Sequence, residues 1–208
     1  MPVIPERSAI EFFPEKITYD ALREASETCR GCDLYKTGTQ TVFGEGPRNA
    51  RVMMIGEQPG NDEDLDGHPF VGPAGKLLDR ALVDAGIDRQ TVYMTNAVKH
   101  FKWKPQGKRR LHQKPNAAEV AACKPWLYGE LEVIHPEIVV CLGATAAQSL
   151  LGPAFRVTQS RGEWMEFEDG QRIIATVHPS SILRAGDNRE EEYRLFVADL
   201  TIVARAVA

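Results

Sequence analysis

Apolar residues fall along this chain in short runs set between longer amphipathic stretches. Residues 51–55, 92–95 and 138–142 are apolar runs too short for helices, and they give way to Gly56, Asn96 and Gly143. Such runs predict buried strands. Residues 164–167 and 172–176 flank Asp169-Gly170, a tight-turn pair, and predict a hairpin. Helices are predicted at 19–28, at 76–85 where Gly86 stops the pattern, at 144–150 and at about 189–207. Asn116 followed three residues later by Glu119 is a capping box for a helix running through residue 128.

Short apolar strands alternating with helices predict an α/β fold, a three-layer α/β/α sandwich around a mainly parallel sheet. Ligands of such sheets bind beyond the carboxyl ends of the strands. The loops after Ile55, Thr95, Leu142 and Thr176 are therefore expected to meet at one site. Pro2, Pro5 and Pro14 make residues 1–18 an irregular arm, and 19–208 read as a single domain. A chain of 208 residues buries roughly 70% of its unfolded surface.

Composition adds that 43% of residues are hydrophobic and 26% charged, as in a soluble globular protein. No apolar run reaches the ~20 residues that span a bilayer, and residues 1–16 lack the pattern of a secretory signal. The expectation is a cytoplasmic protein without membrane attachment, most simply a monomer. A net charge of −4 does not suggest nucleic acid, yet a local basic patch binds phosphates on an acidic protein. One such patch exists. Residues 99–114 hold seven Lys or Arg, interleaved with Phe101 and Trp103, which suits a groove for a nucleic-acid strand. A solvated charged loop has the same composition. His112 ends the patch, and neighbouring cations would keep its imidazole neutral and nucleophilic.

The strand-end loops carry the other candidates. Glu57 and Gln58 lie in the glycine-rich turn Gly56-Glu57-Gln58-Pro59-Gly60. Phe70 could stack on a base or simply fill the core. Asn96 offers a donor and an acceptor, the pair that matches uracil N3–H and O4 and mismatches cytosine at both; a turn asparagine looks the same in sequence. His178, Ser180, Ser181 and Arg184 follow the last strand and suit phosphate or base contacts, with Ile182-Leu183 as an apolar wedge. Cys29 and Cys32 form a C-x-x-C pair, whereas Cys123 and Cys141 stand far apart. Four thiolates so placed can enclose a 4Fe–4S cluster, while Cys141 within its apolar run equally reads as a small buried hydrophobe.

Taken together, CRGC, GEQPG, PFVGPAG, TNAVKH, the Cys123 helix, CLGATAA and VHPSS make the chain resemble the iron–sulfur, type 4 uracil-DNA glycosylases over nearly its whole length. GEQPG and the Lys108-Arg109-Arg110-Leu111-His112 loop bring it closest to the UdgX branch, which binds uracil-DNA irreversibly; Leu111 stands for the branch's usual isoleucine. The resemblance implies a 4Fe–4S cluster on Cys29, Cys32, Cys123 and Cys141. It implies that Phe70 stacks on uracil, Asn96 reads its edge, Gln58 contacts the base and His178 bonds O2. His112 would be the nucleophile that captures the sugar and Glu57 its partner. Arg110, Lys108 and Arg109 would hold phosphates of uracil-containing DNA, especially single-stranded. The alternatives are a hydrolytic, multiple-turnover type 4 enzyme, a non-catalytic sensor of uracil or abasic DNA, and a metal-bearing nucleic-acid module.

Overall fold

The computed structural model describes residues 7–167 and 170–207. Its central sheet contains β1 (Val52–Gly56), β2 (Val92–Asn96), β5 (Ile138–Leu142), β6 (Trp164–Glu166) and β7 (Arg172–Thr176), in the order β2-β1-β5-β7-β6. All neighbours pair in parallel except β6, which runs antiparallel to β7. Two further strands, β3 (Trp103–Gln106) and β4 (Arg109–His112), form a separate hairpin. Asp169 of the expected β6–β7 turn lies outside the described residues.

Period-two alternation divides the sheet between two helical layers. Val52, Met54, Val140 and Ile174 face α3 (Pro73–Ala85), α7 (Pro179–Leu183) and α8 (Arg189–Val207). Met53, Ile55, Val139 and Ile173 face α4 (Ala117–Ile134) and α5 (Ala144–Leu151). A sheet buried on both sides explains why its strands read as unbroken apolar runs. The three-layer architecture is the one expected.

Local chemistry sets the helix limits. Pro73 opens α3 at its first turn, so Gly72-Pro73-Ala74-Gly75 begins the helix rather than preceding it, and Gly86 closes it in the left-handed conformation. The Asn116–Glu119 capping box opens α4, which continues through Pro125 to Ile134, beyond the expected end at 128. Two short helices unmarked by any long periodic pattern complete the chain: α2 (Asn61–Asp66) and α6 (Val157–Ser160). The arm is less irregular than its prolines suggest. Ser8 and Glu11 cap a 3-10 turn at Ala9–Phe12, and Phe13 stacks on Trp126 of α4 at 4.9 Å. With α1 (Tyr19–Glu27) the arm buries a third apolar cluster around Leu22, Leu34 and Trp126. Among the described residues no helix is long and apolar enough to cross a membrane.

Phe196 of α8 is fully buried against the sheet. Phe196→Ala should cost about 3–5 kcal/mol through lost burial and the cavity left behind, measured by urea denaturation.

Candidate active site

A cleft of about 790 Å³ opens at the carboxyl ends of the parallel strands. It is lined by Glu57 and Gln58 after β1, Asn96 at the end of β2, Thr145 after β5 and His178 after β7. These are the four loops expected to converge. Two glycines make the convergence possible. A Cβ on Gly56 would lie 2.3 Å from Asn96 Oδ1 and 2.8 Å from Phe70 Cζ, so only glycine lets both line the floor. Gly143, at φ +93°, leaves room for the His178 side chain, which a Cβ would approach to 2.9 Å.

Asn96 is 3% exposed, and its side-chain amide makes no hydrogen bond to any described residue. Its amide opens onto the cleft, so its donor and acceptor are free for a ligand. Phe70 beside it is buried with φ at +59°, a left-handed backbone unusual for a bulky residue. Its ring lies 26° from parallel to the His178 ring, with centroids 6.4 Å apart. The aromatic is therefore both core and pocket wall.

The state of His178 follows from its neighbours. Its Nδ1 accepts from the Ser180 backbone N–H at 3.1 Å and lies 2.8 Å from Ser180 Oγ. Burial, then Arg184 and His112, push its pKa down to about 4, so the ring is neutral near pH 7. An accepting Nδ1 on a neutral ring places the proton on Nε2. The Ser180 and Ser181 hydroxyls, expected on phosphates, bond instead to His178 Nδ1 and His178 O. Ile182 is buried in the core, which leaves Leu183 and Arg184 of that segment at the cleft.

Residues 99–114 are not an open basic groove. Lys99 and His100 are buried, and so is Phe101. The rest folds into the β3–β4 hairpin, turning at Gly107 and Lys108. Arg110, expected on a phosphate, faces inward. Its Nη1 lies 2.5 Å from the buried Asp64 carboxylate and its Nε donates to Asn61 Oδ1 at 2.8 Å. Its guanidinium also lies 5.4 Å over Phe101 and 5.5 Å over Trp103. Arg110 is thus a pin between the hairpin and α2. Lys102 pairs with Glu119. Lys108, Arg109 and Lys114 stay exposed with no ion pair among the described residues, and Lys114 reaches the cleft with Arg184.

His112 lies two residues beyond Arg110 on the same strand face. Its Nε2 is 3.5 Å from Glu57 Oε1 and 2.9 Å from Gln58 Nε2. Gln58 Oε1 accepts from the Lys102 N–H, while Nε2 contacts the Lys102 and Gln113 carbonyls. The orientation of that amide is therefore set by backbone, and its NH₂ end faces the imidazole, presenting a donor to a ring lone pair. Gln58, expected on the base, clamps both ends of the hairpin. Burial first, then Arg184, lowers the His112 pKa against the opposing pull of Glu57. Glu57 itself accepts from the Thr145 hydroxyl at the start of α5. Thr145, Asn61, Asp62 and Glu63 line the cleft and were missed in sequence. Their only signal was position, directly after a strand or after the GEQPG turn.

The cysteines divide. Cys29, Cys32 and Cys123 share the third apolar cluster, where burial first, then Cys32, pushes the Cys123 thiol up to about 12. The Lys99 N–H donates to Cys123 Sγ at 3.2 Å and Trp126 Nε1 to Cys29 Sγ at 3.2 Å. Cys141 sits in the sheet core in a different cluster, raised by burial alone, beside Ile55 and Ala175. Among the described residues no three ligating side chains stand close enough to hold a metal ion. Cys29, Cys32 and Cys123 lie in the arm cluster, and Cys141 lies on the sheet face that α4 covers, the helix that carries Cys123.

The model of the uracil DNA glycosylase superfamily matches residues 43–201. The chain is 38% identical over 181 residues to a type-4 uracil-DNA glycosylase of Thermotoga maritima, covering 86% of this chain and 89% of that one. It is 40% identical over 179 residues to a type-4 uracil-DNA glycosylase of Archaeoglobus fulgidus, covering 83% and 86%.

The His178 environment has a consequence for stability. In the unfolded chain the ring titrates near its ordinary 6.5, so that state binds the proton first. Stability should fall as pH drops below about 6.5 and level off below about 4. Thermal melts across that range should show His178→Gln with a shallower decline.

Proposed function

Because the chain belongs to the uracil-DNA glycosylase superfamily, we propose that this cleft excises uracil from DNA in the manner of its type 4 relatives. The observation that carries the reading is the unpaired Asn96 amide on the pocket floor. It accepts from uracil N3–H and donates to O4, whereas cytosine mismatches it twice. Phe70 lies flat against the base, and the Nε2–H of neutral His178 donates to O2 as the departing uracil gains charge. Deoxyuridine is extruded from a duplex at a cost of a few kcal/mol, or bound from single-stranded DNA, the preferred substrate. Lys108, Arg109, Lys114 and Arg184 supply the cations for phosphates at the cleft mouth. The protein acts as a cytoplasmic monomer.

Two fates follow for the sugar. The relatives' names support hydrolysis, in which Glu57, held by Thr145, orients a water toward C1′. Turnover is then multiple. A second reading rests on His112, whose Nε2 lone pair faces the same cleft beside Glu57. There the C1′–N1 bond breaks with its electron pair leaving on uracil, and Nε2 bonds to C1′. The resulting imidazolium sheds its Nδ1 proton to solvent, and the protein remains attached.

One denaturing gel with uracil-containing single-stranded DNA separates them. Hydrolysis gives uracil in excess over protein and no shifted band. Capture gives one uracil per protein and a band that survives SDS and heat, abolished by His112→Ser. Normal DNA should yield neither product, and an absence of uracil from every reaction would leave only a binding role.

We infer further that Cys29, Cys32, Cys123 and Cys141 would supply thiolates to an iron–sulfur cluster that braces the arm and α4, which requires their side chains to draw together as it binds. The support is the shared apolar cluster of the first three and the place of Cys141 on the sheet face that α4 covers. Aerobically purified protein should be brown. Cys123→Ala and Cys141→Ala should each lose that visible absorption and bound iron; a colourless parent would remove the cluster from the reading.

A further inference from the structure

The fold buries one ammonium completely, and the reaction outlined above makes no use of it. Lys99 has no exposed side-chain surface, and neither has Glu130 of α4, whose Oε2 lies 2.5 Å from Lys99 Nζ. Each hydrogen of the ammonium is spoken for: Glu130 Oε2, Thr95 Oγ1 at 2.6 Å and the Asn96 carbonyl oxygen at 2.8 Å. Glu130 Oε1 is satisfied in turn by the Gly44 N–H, the Tyr93 hydroxyl and the Thr95 hydroxyl. A buried ion pair is weak evidence for stability, because desolvation opposes most of the attraction. What it supplies here is direction. One of its three bonds ends on the backbone of the residue whose side chain forms the pocket floor.

We propose that Lys99 is a positioning residue that sets the Asn96 amide for uracil, an inference resting on the excision reading above. The strand ends at Asn96, so its carbonyl no longer has a full ladder to hold it. Nearby, Ala97 N–H donates to the Gly56 carbonyl and Val98 N–H to the Glu57 carbonyl, tying the two strand-end loops together. The Lys99 ammonium closes the tight turn from 96 to 99 on itself and fastens it to α4 through Glu130. The side-chain amide is unpaired among the described residues, so its aim comes from its backbone and from packing at Gly56. Loss of the Nζ bond leaves the peptide after Asn96 held on its Ala97 N–H side alone and lets the amide drift from the base. Misplacement of about 1 Å near the reacting group costs on the order of 100-fold in rate.

The test measures single-turnover uracil release from single-stranded DNA, affinity for DNA bearing a tetrahydrofuran abasic analogue, and the thermal midpoint. Lys99→Met combined with Glu130→Gln removes both charges at nearly constant volume. It should slow excision about 10- to 100-fold while affinity for the analogue stays within about twofold. Tyr93→Phe removes a hydroxyl from the same carboxylate without touching the Lys99–Asn96 bond, and should excise like the parent. If the double variant does not melt cooperatively, Lys99→Gln combined with Glu130→Gln, which removes both charges and shortens the donor that reaches the Asn96 carbonyl, stands in with the same criterion. Parental excision by the double variant overturns the inference, as does an equal slowing in Tyr93→Phe. Asn96→Ala keeps the two ideas apart. If it excises at the parental rate, the reading of Asn96 itself fails; if it is slow while the charge-free variant is fast, only the role of Lys99 fails.

Discussion

The carboxylate of Glu130 is the buried charge about which the site end of the fold is organised. It accepts bonds from the loop at Gly44, from Tyr93 and Thr95 on β2, and from Lys99 just beyond that strand. An isolated carboxylate at that depth would not stay ionised, and removing one partner of such a pair typically costs about 3–5 kcal/mol. The helix, the strand and the loop must therefore arrive together. Their common meeting point also sets where β2 ends, and the residue at that end is Asn96. Packing and pocket floor are consequences of the same bonds.

The β3–β4 hairpin shows a second economy of the same kind. It is rich in cations, yet the chain spends several of them internally. Arg110 is drawn down by Asp64 and Asn61, and Lys102 by Glu119. Gln58 stitches the open end of the hairpin through backbone groups of Lys102 and Gln113. Strand alternation then turns His112 to the inner face with Arg110. The same attachments that hold the hairpin flat bring the imidazole to Glu57. Of the exposed cations, Lys114 and Arg184 line the cleft, and Lys108 and Arg109 lie at the turn end of the hairpin; such local fields matter more to phosphates than the net charge of an acidic protein.

Sequence patterning was most informative where the physics is local. The buried strands, the Asn116 capping box, the Gly86 end of α3 and the convergence of strand-end loops all follow from backbone geometry and alternation. Motif content placed Glu57, Asn96, Phe70 and His178 in one cleft for the same reason, since each lies at or just beyond a strand end or in a loop facing it. It was least informative for side chains whose role depends on a distant partner. Lys99, Arg110, Ser180 and Ser181 look in sequence like free phosphate ligands.

The amino-acid order by itself determined the layer architecture and the end of the sheet that bears the site, because strand period, caps and turns are decided within a few residues. Only the tertiary structure decided which polar groups are free to act. Lys99 meets Glu130 across 31 positions, Arg110 meets Asp64 across 46, and Thr145 meets Glu57 across 88. Whether an ammonium faces solvent or a buried carboxylate depends on distances that no local pattern encodes. The Asn96 amide, by contrast, has no hydrogen-bond partner among the described residues, which becomes visible only when the neighbouring chain segments are in place.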